Sequence, residues 1–251
     1  MPVARRTAAR RPRVLSVDVG GSHVKALVEG EHEPRRFDSC LGLTAAQMAR
    51  GVVDCTKDWR YDVVSIGFPG PVLNGHPVAE PVNLGSWWVA FDYGGAFGRP
   101  VKIVNDAAMQ ALGSYEGGRM LFLGLGTGLG SAMVIDGRLE PMELAHLPYK
   151  KRGTYEDYVG RRGLERLGKK KWRREVATVV ETLKAALQAE YVVLGGGNAS
   201  KLKDLPPGTR LGANANAFVG GFRLWDAERT PQEPSAVHVP RRSGSVRQKA
   251  K

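Results

Sequence analysis

Two aspartates in this chain follow short apolar runs that read as buried strands. Asp18 lies near the end of Val14–Val19 and is followed by Gly20, Gly21 and Ser22, then by an alternating run, His23–Val28, that carries Lys25. Asp106 comes after residues 101–104 and Asn105, and opens a helical pattern over residues 107–115. A glycine turn presents consecutive backbone N–H groups, which cradle an anion, phosphate above all. A carboxylate beside such a cradle suits Mg²⁺, which prefers carboxylate and phosphate oxygens. An Asx-type turn residue is the other reading of Asp18. Asp106 is placed to cap its helix. The end of a strand is also where α/β sheets put chemistry, and a carboxylate there can take a proton from a hydroxyl nucleophile. Glu143 and His146, three residues apart, can converge on a hydroxylated ligand through paired hydrogen bonds, although one E-x-x-H alone is weak evidence.

The glycine syntax recurs. Residues 123–134, LGLGTGLGSAMV, read as strand, turn and strand, with Gly126, Thr127 and Gly128 in the turn. No Gly-Lys-Ser/Thr ending and no G-x-G-x-x-G spacing occur here, and the chain runs on into further β structure rather than a helix. A third junction follows residues 191–194, where a strand enters Gly195, Gly196, Gly197 and Asn198. The order strand, glycine turn, strand, further β, then helix and strand begins near Val14 and again near Met120. That order predicts a duplicated α/β unit whose two glycine hairpins face one cleft and clamp a polyphosphate group between them.

Other elements must hold these residues in place. Residues 33–37 are predicted to add a strand, and Thr44 to cap a helix reaching Lys57. A buried strand over 62–68 ends in a backbone-presenting Pro69-Gly70-Pro71 loop. Residues 72–98 read as a loop region in which Trp87 and Trp88 serve either sugar stacking or the core. Residues 155–168 look helical but broken at Gly160 and Gly163, and an amphipathic helix over 169–189 starts with the basic run KKKWRR. Residues 215–225 give a last helix.

A chain of 251 residues, 42% hydrophobic and 25% charged, reads as an ordinary globular protein. No apolar run approaches the ~18 residues of a membrane span, and the Arg-rich start lacks the apolar segment of a secretory signal. A cytoplasmic location with no membrane partner is therefore expected. Cys40 and Cys55 are too few and too badly spaced for zinc, and read as core thiols. The net charge of +12 is uneven: residues 1–13 hold five Arg and no acid, and residues 226–251 hold six Lys/Arg against three acids, leaving +4 for the body. Solvated basic tails at 1–13 and 226–251 explain most of the charge without a specific nucleic-acid partner.

In order along the chain, VDVGGSHVK, VNDAAMQALG, GLGTGLGSAMV, ELAH and VVLGGGN resemble the ROK family of sugar kinases. The segment LAHLPYKKRGTYEDYVGRRGLERLGKKKW brings the closer likeness to the polyphosphate glucokinases. The resemblance covers roughly residues 14–225. It implies a two-lobed actin-like (ribonuclease H-like) α/β fold, with residues 14–100 plus the helix 215–225 forming one lobe and residues 101–214 the other.

The resemblance also implies phosphoryl transfer from polyphosphate or ATP, with Mg²⁺, to the 6-hydroxyl of glucose. Asp106 would be the general base, and Asn83, Asn105, Glu143, His146 and Glu156 would hold the sugar. Gly20, Gly21, Ser22, Gly126, Thr127 and Gly128 would take the donor's phosphates, helped by Asp18 and Lys25. Gly195, Gly196 and Gly197 would border a nucleotide. Lys150, Lys151, Arg152, Arg161, Arg162, Lys169, Lys170 and Lys171 would line a track for long polyphosphate. Related kinases commonly form homodimers. The chain departs from the pattern where the family's Cys-rich zinc motif is absent, where Ala145 replaces the glycine of E-x-G-H, and where Ser22 replaces a Thr. The family's repressors carry a helix-turn-helix ahead of the sugar domain, and 13 residues before the first strand leave no room for one. A sugar-binding protein without activity is the alternative.

Overall fold

The computed structural model describes residues 11–150, 153–213 and 215–226. Most of both basic tails, and Lys151 and Arg152 of the track, lie outside the described residues. Two five-stranded sheets have the same plan. In the first, β1 (Val14–Val19), β2 (His23–Val28) and β3 (Arg35–Asp38) form an antiparallel meander. Helix α1 (Ala45–Cys55) then returns the chain to β4 (Val63–Phe68), parallel to β1. Thr44 caps α1 as predicted, through a capping box with Gln47. A small hairpin, β5 (Val72–Leu73) and β6 (His76–Pro77), and the short helix α2 (Tyr93–Phe97) lead to β7 (Val101–Asn105), parallel to β4. The order is β3-β2-β1-β4-β7.

Helix α3 (Asp106–Ser114) crosses to the second sheet, where β8 (Arg119–Leu125), β9 (Leu129–Ile135) and β10 (Arg138–Met142) repeat the meander. A small pair, β11 (Pro148–Tyr149) and β12 (Gly153–Thr154), precedes α4 (Tyr155–Val159) and the long α5 (Arg161–Ala186). Strands β13 (Tyr191–Gly195) and β14 (Thr209–Leu211) follow in parallel, completing β10-β9-β8-β13-β14 before α6 (Asn216–Arg223). The duplication read from the glycine turns is thus present in the topology.

Helices α3 and α6 fill the space between the sheets. The apolar face of α3, Ala107, Ala108, Ala111 and Leu112, packs with Met120, Phe122, Ala132 and Val134 of the second sheet. Helix α6 lies against β1 and β4 of the first. Glycines let the two helices approach: a Cβ on Gly220 would run into the Met109 carbonyl, and one on Gly113 into that of Asn216. Across the first sheet, Ser65 Oγ donates to Gly221 O (2.6 Å) and Trp225 Nε1 donates to Ser65 Oγ (2.9 Å).

Several sequence expectations are corrected. Residues 101–104, assigned to the second lobe, form an edge strand of the first sheet, because β7 hydrogen-bonds to β4 before the chain turns into α3. Gly163 does not break a helix; the interruptions are at Gly160, between α4 and α5, and at Gly168, whose φ of 69° kinks α5. The cysteines are not core thiols: Cys40 is exposed and Cys55 half-buried. Trp88 is fully buried, its Nε1 donating to Leu43 O, while Trp87 is 75% exposed. Among the described residues no helix is long and apolar enough to cross a membrane.

Candidate active site

A cavity of about 620 Å³ opens between the two sheets, with the glycine hairpin of each on its wall. In the first hairpin Gly20 N–H donates to His23 O (3.0 Å), and Ser39 Oγ grips Gly20 O (2.7 Å). In the second, Gly126 N–H donates to Gly128 O (3.1 Å). Each turn therefore uses the amide of its first glycine to hold its own shape. An incoming anion would meet the later residues: Gly21 and Ser22 on one side, Thr127 and Gly128 on the other.

Asp106 lines the cavity where β7 gives way to α3. Asn105, not Asp106, is the helix cap, accepting from Ala107 N (2.9 Å) and Ala108 N (3.3 Å), while its Nδ2 donates to Gly70 O (3.0 Å). The Pro69-Gly70-Pro71 loop is thereby tied to the start of α3. Asp106 is left as the first helical residue, its Oδ1 accepting from Ala107 N (2.8 Å). Burial, and then the charge of Asp18, push its carboxyl up to about 6. Burial also raises Asp18, partly offset by Lys25, its partner across the β1–β2 ladder. Neither Asp18 nor Lys25 lines the cavity, and of the two it is Asp18 whose charge reaches Asp106.

Glu143, His146 and Glu156, which the sequence assigns to the sugar, come from an excursion that leaves β10 and ends in α4. Ser131 Oγ of β9 donates to Met142 O (3.0 Å) and accepts from Leu144 N (3.1 Å), pinning the backbone on both sides of Glu143. The excursion closes where Glu156 N donates to Ala145 O (3.1 Å) and Tyr155 N to Leu147 O (3.2 Å). Stacked Tyr149 and Tyr155 (4.9 Å), with Tyr149 Oη donating to Glu175 of α5 (2.9 Å), fix it to the second lobe. Glu143, His146 and Glu156 consequently meet at the cavity: His146 Nδ1 is 3.4 Å from Glu143 Oε1, and its Nε2 is 3.9 Å from Glu156 Oε1. Asn83 reaches the cavity from the first lobe.

No family model matches the chain. A bifunctional NanE/NanK enzyme of Brucella melitensis is 30% identical over 143 residues, 50% of this chain and 27% of that protein, so the chain spans about a quarter of the length of the first relatives it matches. A polyphosphate glucokinase of Mycobacterium tuberculosis is 26% identical over 214 residues, 74% of this chain and 78% of that one. Among solved structures, the inorganic polyphosphate/ATP-glucomannokinase of Arthrobacter sp. strain KM superposes with a TM-score of 0.72 at 23% identity, covering 86% of this chain and 99% of that one. The fold is that of the ROK sugar kinases. The resemblance carried by the five motifs therefore has counterparts in sequence and in fold, with polyphosphate glucokinases among the relatives.

Within this ROK fold the remaining sequence-named residues separate. Of the third glycine run, only Gly196 reaches the cavity; its φ of 81° and the Leu125 O that a Cβ would meet at 2.6 Å require a glycine. Gly195 is buried in β13 against Phe122, and Gly197 is exposed outside the cavity. Lys169, Lys170 and Lys171 are exposed on α5 and do not line it, and Lys150 is held by Glu175 (2.6 Å). Trp87 and Trp88 do not line it either. Gln110 and Phe122 are cavity residues that sequence reasoning missed; both sit among core-patterned neighbours, which hid them. Arg162, grouped with the surface track, lines the cavity.

Proposed function

We propose that this chain is a glucokinase, transferring a phosphoryl group from polyphosphate or ATP to the 6-hydroxyl of glucose. The observation that carries the reading is a half-buried carboxylate, Asp106, in a cleft walled by two glycine hairpins and by the polar side chains of Asn83, Glu143, His146 and Glu156. A carboxyl titrating near 6 is mostly ionised at pH 7 and is a far better proton acceptor than an exposed aspartate. In the reaction it would take the hydroxyl proton as the sugar oxygen bonds to the terminal phosphorus. The bond from that phosphorus to the bridging oxygen breaks, and its electron pair leaves with the shortened donor.

Glu143, His146, Glu156, Asn105 and Asn83 would orient the sugar, and the amides of the two turns would neutralise charge on the phosphoryl oxygens. The residues present fit Mg²⁺ in a limited way. Among the described residues no cluster of three or more His, Cys, Asp or Glu forms a metal cage. Asp18, next to the Gly20-Gly21-Ser22 turn but outside the cavity lining, is the carboxylate that would hold Mg²⁺, directly or through water, alongside substrate phosphates. When bound there, the ion would offset donor charge. We take the first sheet with α6, and the second sheet with α4 and α5, as the two lobes that close on the substrates.

The test is formation of glucose 6-phosphate by the purified protein with Mg²⁺, run in parallel with ATP and with ATP-free polyphosphate. Product with either donor supports the reading and names the donor. No product with either, alongside calorimetric binding of glucose, would replace it with a sugar-binding protein that lacks activity.

A further inference from the structure

The cleft is acidic. Asp106, Glu143 and Glu156 line it and the charge of Asp18 reaches Asp106, yet a phosphoanhydride chain brings several negative charges of its own. Among the described residues that line the cavity, the only Lys or Arg is Arg162. It stands at the second position of α5, and that helix begins hard against the second glycine turn: Arg161 N donates to Thr127 O (3.1 Å). A Cβ on Gly160 would sit 2.9 Å from Thr127 O and 3.3 Å from Gly128 Cα, so the absence of a side chain there permits the approach. Asp157, close enough to feel the Arg162 charge, is already engaged as the capping partner of Thr154. No hydrogen bond or ion pair within the described residues holds the Arg162 guanidinium. That contrasts with Arg166 on the next turn, which donates to Asp157 O (2.8 Å) and covers the Tyr158 ring (4.8 Å).

We infer that Arg162 is the side chain that binds the donor's phosphoanhydride chain, with a fork geometry matched to two phosphate oxygens. This rests on the kinase reading for the donor's identity, but the anion chemistry is read from the cleft itself. Arg162 places the donor on the Thr127–Gly128 side and sets its charge against the carboxylates that hold the sugar. The same contact serves ATP and polyphosphate, because it recognises the chain common to both.

The test measures binding apart from turnover. Tripolyphosphate with Mg²⁺, and glucose separately, are titrated by calorimetry into the wild type, Arg162→Ala and Arg162→Lys. Charged hydrogen bonds of this kind lead to an expected loss of tripolyphosphate affinity of about 10- to 100-fold in Arg162→Ala and a smaller loss in Arg162→Lys. Glucose affinity and melting temperature should stay at wild-type values. Tripolyphosphate affinity within twofold of wild type in Arg162→Ala, a parallel fall in glucose affinity, or no tripolyphosphate binding by the wild type would each overturn the inference. In a turnover arm the donor KM should rise for both ATP and polyphosphate with the glucose KM unchanged. A wild type inert toward both donors that still binds tripolyphosphate through Arg162 would sink the kinase reading and leave this assignment standing.

Discussion

Replacing Asp106 by asparagine should make the protein more stable while removing its activity. The carboxyl moves from an ordinary 3.8 to about 6 on folding, chiefly through burial and secondly through Asp18. Because the folded-state value is the higher one, the folded chain holds this proton more tightly than the unfolded chain. Stability is therefore unaffected below the unfolded value and declines as pH rises from about 4 to 6. At ~1.4 kcal/mol per unit, the ionised group costs the fold about 3 kcal/mol at pH 8 and roughly half that at pH 5. Asparagine is nearly isosteric, never ionises, and retains an oxygen to accept from Ala107 N. Urea denaturation of wild type and Asp106→Asn at pH 8 and pH 5 should show the variant ahead at both, by about twice as much at the higher pH. Calorimetry should show glucose still bound, with turnover down by ~100-fold or more. A variant less stable than wild type at pH 8, or a gain that does not shrink on acidification, would refute the account of Asp106 as a charge held at a cost for its chemistry.

The same titration should appear in kinetics: kcat/KM for glucose rises with pH through about 6 and levels off above it, and a profile flat between pH 5 and 7.5 would remove Asp106 from proton transfer. Gly128→Ala places a methyl group where the Glu156 carboxylate lies, so that side chain must swing away. The glucose KM should rise about tenfold or more, as expected for a lost charged hydrogen bond, with little change in melting temperature. Gly220→Ala drives a Cβ into the Met109 carbonyl, backbone against backbone where neither can turn aside. The ~1 kcal/mol that alanine offers a helix is outweighed by overpacking of about 1–3 kcal/mol, and thermal melting should fall by several degrees; an unchanged or raised midpoint would show the α3–α6 seam to be compliant.

The turns and strand ends that border the cavity are legible in the sequence because each stands at a junction that leaves a local mark: apolar run, then glycine or acid. Asp18, Asp106 and both hairpins stand out in this way, and so does the duplication, since both halves repeat one order of marks. Edge membership was not legible. Strand β7 looks like the opening of the second lobe because it adjoins α3 in sequence, and only its ladder with β4 shows otherwise. The division of labour between Asn105 and Asp106 was also hidden, since both are good caps and their order alone does not decide which turns inward. Arg162 was lost in a run of basic residues whose periodicity cannot separate the side facing solvent from the one facing the cleft. Cys40 illustrates the limit of composition: residue type suggested burial, whereas the loop after β3 leaves it exposed.

The seam between α6 and the first sheet has a bearing on how the chain is made. Ser65 bonds to Gly221, 156 positions further on, and Trp225 closes over Val14 and Val63. A ribosome releases β1 to β7 long before it releases α6. Until then one face of that sheet, and the groove along α3 lined by Gly113, stand uncovered. The N-terminal half thus waits for the last helix, and a nascent chain stalled short of residue 216 would present an apolar surface to chaperones or to other chains.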